Sequence, residues 1–263
     1  MVELVTVTQL LGATVGSLAF LDIARRWGGP YPPTLPGSQN GRRELVEVGL
    51  LFTITLAGSA YAIAVYRDLV QFNPLVASIG ERSLSLVFFV GVVSYLVVPA
   101  LVEVGLHGRA IEELGVRWPI NWWPTMMLLV MGAILGAAPL LFASVRSESL
   151  FFILLGLYTP AFEEEFLYRG VVQSKLERVV SQRDAWITSG VLFGLGHVPN
   201  DLFGPFWVTT GGDPAIAIVR LAEQTAFGLL LGLLYTKSRT LIAPVLGHYF
   251  KNDLAVILES VLP

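Results

Sequence analysis

Three consecutive glutamates, Glu163, Glu164 and Glu165, end a run of apolar residues that is suited to a membrane. Ionisable residues inside membrane segments are costly and usually face a bundle interior or a water-filled cavity. Arg169 follows Glu165 by four residues, so the two side chains share a helix face and can form an ion pair. Glu164 is then the unpaired carboxylate, and a carboxylate kept from water can act as a general base.

Histidine occurs three times in the chain, and two of the three lie in apolar segments. His197 ends the stretch FGLGH, and His248 begins the stretch HYFKN. Asn252 follows His248 by four residues, so both side chains lie on one helix face. An imidazole N–H and an amide N–H aimed at one point can stabilise a developing oxyanion. His107 lies in an interfacial segment and is expected at the surface.

These residues also allow structural interpretations. The glutamates could be solvated at the membrane edge, a lone histidine could be a packing residue, and His248 with Asn252 could clamp two helices. Arg220, Glu223 and Gln224 lie close together in another apolar segment. They could line an entrance to a buried site or form a buried salt bridge, and both interpretations stay open.

The composition places all these residues in a membrane protein. Hydrophobic residues make up 54% of the 263 residues and charged residues 14%, compared with roughly 25% charged residues in a soluble domain. The net charge of -3 argues against nucleic acid as a partner, and the absence of cysteine excludes disulfides. The sequence predicts an all-α, polytopic transmembrane helical bundle in a lipid bilayer.

Eight segments are candidates for membrane helices, which need about 20 mostly apolar residues each. They cover residues 4–24, 46–66, 84–106, 124–145, 149–172, 184–199, 214–236 and 240–262. The first four are ordinary apolar helices, whereas the last four carry polar residues in their interiors. We therefore divide the chain into N-terminal transmembrane helices, residues 1–106, and a core that carries the chemistry, residues 107–263.

Basic residues are unevenly distributed over the connections. The connections after the first, third, fifth and seventh segments hold eleven lysines and arginines, whereas the opposite side holds Arg67, Arg82 and Arg146. The positive-inside rule then puts both termini outside and the odd-numbered connections in the cytoplasm. We expect the active site to open toward the cytoplasm.

Three motifs follow one another along the polar segments. EEFLYR (164–169) fits EExxxR, FGLGH (193–197) fits FxxxH, and HYFKN (248–252) fits HxxxN. In this order on membrane helices they resemble the CAAX prenyl protease and bacteriocin-processing (CPBP) family of intramembrane proteases. The resemblance covers roughly residues 110–260. It includes LGVRWP (114–119), which looks like the short segment that precedes the core in this family.

The resemblance implies a catalytic role for four residues. Glu164 would be the general base that activates a water molecule, and His197 would help to hold that water. His248 and Asn252 would stabilise the oxyanion of the tetrahedral intermediate. The implied activity is that of an intramembrane endopeptidase of the glutamate type.

The resemblance also implies supporting residues and a substrate. Glu165 and Arg169 would be a structural pair that fixes the base, and Phe193 would shape the pocket. The substrate would be a peptide or protein. In the prenyl-protease branch it carries a prenylated C-terminus, from which a tripeptide is removed.

Two alternatives stay open. Glu164, His197 and His248 could hold a catalytic Zn²⁺ with water in the open position, although Asn252 is a poor zinc ligand and no cofactor is favoured. The chain could also be a non-catalytic membrane scaffold or immunity-type protein that retains the fold. A proton-coupled transporter would be expected to show repeat symmetry between its halves, and the sequence shows none.

Overall fold

The computed structural model describes residues 2–79, 82–141 and 150–261 of the chain. Arg146 and the predicted segment boundaries at residues 145, 149 and 262 lie outside this description. The described residues are mostly helical, and this confirms the all-α helical bundle.

Each of the eight predicted segments corresponds to helical structure in the described residues. The fifth segment consists of two helices joined by an irregular turn at Leu157–Phe162, and two short helices follow the sixth. The helices are α1 (Val2–Trp27), α2 (Gly41–Tyr66), α3 (Leu86–Leu106), α4 (Trp122–Ala137), α5 (Leu150–Gly156), α6 (163–177), α7 (Gln182–Gly196), α8 (Val198–Phe203), α9 (Pro205–Thr209), α10 (Pro214–Ser238) and α11 (Ile242–Val261).

Four of the described helices are long and apolar enough to cross a membrane. These are Thr6–Trp27, Gly41–Tyr66, Leu86–Leu106 and Pro214–Ser238. Few residues of the first three are buried, as expected of helices that border lipid, whereas α10 is mostly buried. Helix α10 packs between α7 and α1, and α11 packs along α4. The polar helices therefore form the interior of the bundle.

A short antiparallel hairpin connects α2 to α3, where the sequence pattern indicated only a connection. Strand β1 (Leu75–Ile79) pairs with β2 (Arg82–Ser85). The side chain of Asn73, just before β1, accepts a hydrogen bond from the backbone N–H of Val87 at 3.1 Å. Because the first N–H groups of a helix have no partner within the helix, this contact anchors the start of α3.

Glycines set the closest approaches between helices. The sequence contains three GxxxG pairs in helices, namely Gly12/Gly16, Gly132/Gly136 and Gly228/Gly232. A Cβ atom on Gly132 would lie 2.6 Å from the carbonyl oxygen of Gly247, and one on Gly228 would lie 2.7 Å from that of Gly190. These pairs thus allow α4 to pack against α11 and α10 against α7, as the motif predicts. Gly12 has open space beside it and makes no such contact.

The basic connections lie together at one end of the bundle. The Lys237 ammonium, at the end of α10, donates to the carbonyl oxygen of Gly29 at 2.7 Å. Arg178, after α6, donates to Pro36 at 3.3 Å and pairs with Glu113 at 2.5 Å. The connections after α1, α3, α6 and α10 are therefore tied to one another, as expected if they share one side of a membrane.

Helix α6 is enclosed by the rest of the bundle, and every residue from Glu165 to Glu177 is buried. Its Lys175 is completely buried, with its ammonium 3.0 Å from Glu44, 2.5 Å from Glu47 and 2.6 Å from Glu103. Arg109 pairs with Glu44 and Glu103 from the other side. This cluster joins α6 to α2 and α3, because each helix supplies a charge that the others neutralise.

We expect Lys175→Met to lower the free energy of unfolding by about 3–5 kcal/mol, because it leaves buried carboxylates without their central cation. Thermal unfolding of the purified protein in detergent measures this loss. The control is Arg43→Met, which removes a half-exposed partner of Glu47 and should cost at most about 1 kcal/mol. Equal losses in the two variants would contradict a structural role for the buried cluster.

Candidate active site

Four predicted residues line one cavity of about 260 Å³. Glu164 comes from α6, His197 from the end of α7, and His248 with Asn252 from α11. These elements are far apart in the sequence, and it is the packing of α6, α7 and α11 that brings the four side chains together. Their catalytic roles stay predictions, whereas their common location is a property of the fold.

Glu164 and His197 face each other across this cavity. Glu164 Oε2 lies 3.7 Å from His197 Nε2, beyond direct hydrogen-bond distance, and it has no hydrogen-bond partner among the described residues. His197 Nδ1 is 2.8 Å from the carbonyl oxygen of Phe193. A carbonyl oxygen only accepts, so Nδ1 carries the proton, and Nε2 of a neutral ring has its lone pair toward Glu164. This spacing suits a water molecule held by both groups.

A hydrogen bond to Glu165 positions the ring of His248. Its Nδ1 donates to Glu165 Oε1 at 2.9 Å, and Glu165 Oε2 lies 3.1 Å from Arg169 Nε. The ion pair expected from the four-residue spacing is therefore present. This ion pair contacts the imidazole of His248 and not the carboxylate of Glu164. The pair therefore orients His248, which is one of the expected oxyanion donors.

Phe193 packs behind the two imidazoles. Its ring is fully buried, 4.7 Å from the ring of His197 and 5.8 Å from that of His248, measured between centroids. The guanidinium of Arg169 lies 4.5 Å above the same ring. Phe193 is not among the residues that line the cavity, and it contacts the rings of both histidines that do; its role in shaping the pocket stays a prediction.

A break in the helical backbone precedes Glu164. Thr159 has extended dihedral angles, φ -126° and ψ 121°, as favoured for a residue before proline, and Pro160 lines the cavity. The Thr159 hydroxyl donates to the carboxylate of Glu163. Glu163, which had no assigned role, therefore belongs to the turn that starts α6, and its carboxylate does not line the cavity.

Sequence patterns missed several residues of the cavity wall. Ser59 on α2 and Tyr95 on α3 both line it, with 3.4 Å between their hydroxyl oxygens. Asn200 on α8 also contributes. Isolated hydroxyl groups in apolar segments are common, so nothing in the sequence distinguishes Ser59 or Tyr95. The helices before residue 107 therefore complete the site, although they were predicted as a separate N-terminal region.

Both interpretations of the Arg220 segment hold in part. Arg220 and Gln224 line the cavity, whereas Glu223 is fully buried. Glu223 joins two cations, with one oxygen 2.8 Å from Arg220 Nη1 and the other 2.7 Å from Lys251 Nζ. The segment is thus both part of the wall and a buried ion-pair network between α10 and α11.

Glu164, His197 and His248 do not form a preassembled zinc site. Zinc–ligand distances of about 2.0–2.2 Å require the ligand atoms to lie close together. In the part of the chain that the structure describes, the ligand atoms of these three residues do not all come within 4.8 Å of one another. The arrangement of these three residues therefore fits Zn²⁺ poorly.

A cluster that meets this spacing lies elsewhere, at Glu44, Glu47 and His107. The ammonium of Lys175 already sits against both carboxylates. His107 was expected at the surface, but its side chain is only 15% exposed and its Nε2 is 2.8 Å from Glu47 Oε2. His107 is thus partly buried, because the start of α2 packs over the end of α3.

Comparisons with known proteins agree with the motifs. Residues 146–254 match the model of the Rce1-like protein family, which is described as type II CAAX prenyl endopeptidase Rce1-like. No curated protein and no solved structure matches the chain. The matched segment contains all three motifs, from Glu164 to Asn252. Over residues 146–254 the chain thus matches the Rce1-like family, and its resemblance to the CAAX prenyl protease and bacteriocin-processing family is confirmed.

Proposed function

We propose that this integral membrane protein hydrolyses a peptide bond with a water molecule activated by Glu164. The family match supports an intramembrane protease. The observation that carries the proposed chemistry is the convergence of Glu164, His197, His248 and Asn252 on one cavity. This convergence provides a base, Glu164, beside a position for a water molecule. It also provides hydrogen-bonding groups on the facing helix, α11.

In the proposed first step, the water donates one hydrogen bond to Glu164 and one to His197 Nε2. This leaves an oxygen lone pair for attack on the scissile carbonyl carbon. Glu164 takes the proton as the oxygen–carbon bond forms and the carbonyl becomes an oxyanion. When the intermediate collapses, Glu164 returns the proton to the departing amine.

The oxyanion requires donors on the facing helix. The Asn252 amide donates directly. His248 uses Nδ1 to contact Glu165, so it donates from Nε2 only when the His248–Glu165 pair carries two protons. The Glu165 carboxylate, itself paired with Arg169, contacts Nδ1 and so orients the ring with Nε2 away from Glu165.

We expect Glu164→Gln to reduce kcat by about 10²- to 10⁴-fold, because an amide cannot accept the proton of the water. Cleavage of a fluorogenic peptide in detergent or proteoliposomes measures the loss, and the unfolding temperature checks that the fold is intact. Glu163→Gln is the matched control and should retain activity, because its amide can still bond Thr159. Full activity in Glu164→Gln would exclude this residue as the base.

The mechanism also predicts indifference to metal chelators, because none of its steps uses a metal ion. Activity should be unchanged after dialysis against EDTA and 1,10-phenanthroline, and elemental analysis of the active protein should find less than one zinc per chain. Loss of activity in chelator that is restored by added Zn²⁺ would favour the metallopeptidase alternative.

The proposed orientation follows from the basic connections, which lie at one end of the bundle. We place this end in the cytoplasm and both termini outside, by the positive-inside rule. Access from the cytoplasmic side is proposed from the charge bias alone; Asn200 on the cavity wall lies in the sixth connection, which this topology places on the opposite side. Peptide or protein is the proposed substrate class, with the lipid bilayer as the surrounding partner.

A second, larger groove supports the proposal that the substrate is lipid-modified. Its volume is about 870 Å³, and its wall is mostly apolar. It shares two elements with the catalytic cavity: Phe162 lies in the same turn as Pro160, and Val245 lies on α11, as His248 does. An apolar groove at this position can hold a prenyl chain while the peptide reaches Glu164.

We expect Leu154→Trp, which fills the groove, to lower the preference for a prenylated over an unprenylated peptide by about tenfold. Burial of each CH₂ group contributes about 0.8 kcal/mol, so exclusion of two accounts for this change. The ratio of the two kcat/KM values is the measurement. Leu50→Trp, at an equally exposed position outside the groove, is the control and should leave the ratio unchanged. An unaltered ratio in Leu154→Trp would remove the groove from the prenyl hypothesis.

A further inference from the structure

Ser59 on α2 and Tyr95 on α3 place a pair of hydroxyl groups on the wall of the candidate active-site cavity. Their oxygens are 3.4 Å apart, so one hydroxyl donates to the other. Both residues lie outside residues 146–254, the segment that matches the Rce1-like family. The three motifs therefore assign no role to this pair.

Close packing of α2 on α3 holds the two hydroxyls in the wall. A Cβ atom on Gly58 would lie 2.8 Å from Ser94 Oγ, so the helices approach each other at the residues just before Ser59 and Tyr95. Tyr95 also lies in a π-helical turn, Val93–Val97, and such turns are frequent at functional sites. The crossing of the two helices therefore sets the position of the pair.

The pair has one hydroxyl proton without an acceptor. Two hydroxyls carry two protons, and one of these is used between Ser59 and Tyr95. Neither hydroxyl makes another hydrogen bond among the described residues, whereas Thr53 and Thr55 on the same helix donate to backbone carbonyls one turn earlier. The remaining proton is therefore available to a group that enters the cavity.

A second tyrosine–serine pair has acceptors for both of its protons. The hydroxyl oxygens of Ser174 and Tyr235 are 3.2 Å apart, and both residues are buried away from the cavity. Ser174 Oγ also donates to the carbonyl oxygen of Arg169 at 3.4 Å, which leaves Tyr235 to donate to Ser174. The cavity pair has no such third group, as expected if a ligand supplies it.

A peptide in the cavity offers backbone carbonyl oxygens as acceptors. In the proposed mechanism the scissile carbonyl is bound by His248 and Asn252 on α11. Successive carbonyl oxygens of an extended chain point to opposite sides, so the neighbouring carbonyl faces away from α11. Helices α2 and α3 pack against α6, whereas α11 packs along α4. The hydroxyl pair therefore lies on a wall separate from that of the oxyanion donors.

We propose that Tyr95 donates a hydrogen bond to a substrate carbonyl adjacent to the scissile one, while Ser59 donates to Tyr95. This rests on the proposed peptidase function and adds a substrate-binding residue to it. A phenol is a stronger donor than an alkyl hydroxyl, so the available proton is assigned to Tyr95. Glu164 interacts electrostatically with Tyr95 but shares no direct hydrogen bond with it. A buried carbonyl without a partner is costly, so the bond holds the peptide in register with Glu164.

The test replaces one backbone carbonyl of a peptide substrate with a thiocarbonyl, whose sulfur is a weaker acceptor than oxygen. Two peptides carry this change, one at the amide immediately before the scissile amide and one at the amide immediately after it. We expect the wild-type protein to cleave one of them about 2- to 10-fold less efficiently in kcat/KM than the unmodified peptide, as for one hydrogen bond. Chromatography of the products measures the rates.

Tyr95→Phe should bring the ratio of unmodified to thioamide cleavage close to one, because the donor is lost for both peptides. Ser59→Ala should keep part of this ratio, since Tyr95 retains its proton. Tyr235→Phe is the matched control, because it removes the hydroxyl of the second pair, and it should keep the wild-type ratio. Unfolding temperatures check that each variant is folded, and the wild-type ratio itself needs no variant.

Equal cleavage of all three peptides by the wild-type protein would overturn this proposal and leave the peptidase function intact. A folded Tyr95→Phe variant that keeps the wild-type ratio would also overturn it and give Tyr95 a structural role. Loss of the ratio in Tyr235→Phe would contradict the assignment of the ratio to the cavity pair. Absence of cleavage of every peptide, prenylated ones included, by the folded wild-type protein would count against the proposed function, and this proposal would fail with it.

Discussion

The half of the bundle that carries the candidate active site depends on one fully buried arginine. Arg169 pairs with Glu165, donates to the carbonyl oxygen of Gly228 at 3.0 Å and lies over the ring of Phe193. A charge in a bundle interior is tolerated only where its partners compensate for the lost hydration. Arg169 therefore fixes α6 against α7 and α10, and through Glu165 it also fixes His248 on α11.

Further charges on α6 extend this constraint toward the end of the helix. Lys175 meets the carboxylates of α2 and α3, and Glu177 pairs with Arg239 at 2.6 Å. Charged residues along α6 are thus paired with residues of different parts of the bundle. A shift of the helix along its axis would leave several of these buried charges unpaired. Glu163 and Glu164 are the α6 carboxylates that have no lysine or arginine partner among the described residues. Glu163 accepts from the Thr159 hydroxyl, whereas Glu164 faces the cavity with His197 as its neighbour. The ion pairs that hold α6 in place therefore leave the carboxylate of Glu164 available for the proposed chemistry.

The sequence alone predicted what depends on local spacing and on composition. Apolar segments of sufficient length predicted the helices, because a chain in lipid must satisfy its backbone hydrogen bonds within each segment. The Glu165–Arg169 pair followed from a separation of four residues on one helix. The candidate residues Glu164, His197, His248 and Asn252 followed from polar groups in apolar surroundings and from their order along the chain.

Only the tertiary structure decided which of these helices meet. The contact between Glu165 and His248 joins residues that are 83 positions apart, and no local pattern encodes such a distance. The same holds for Ser59 and Tyr95, which are unremarkable in their own segments, and for Lys175, whose three carboxylates come from two other helices. The physical reason is that helix periodicity fixes the face on which a side chain lies, whereas packing between helices determines what that face contacts.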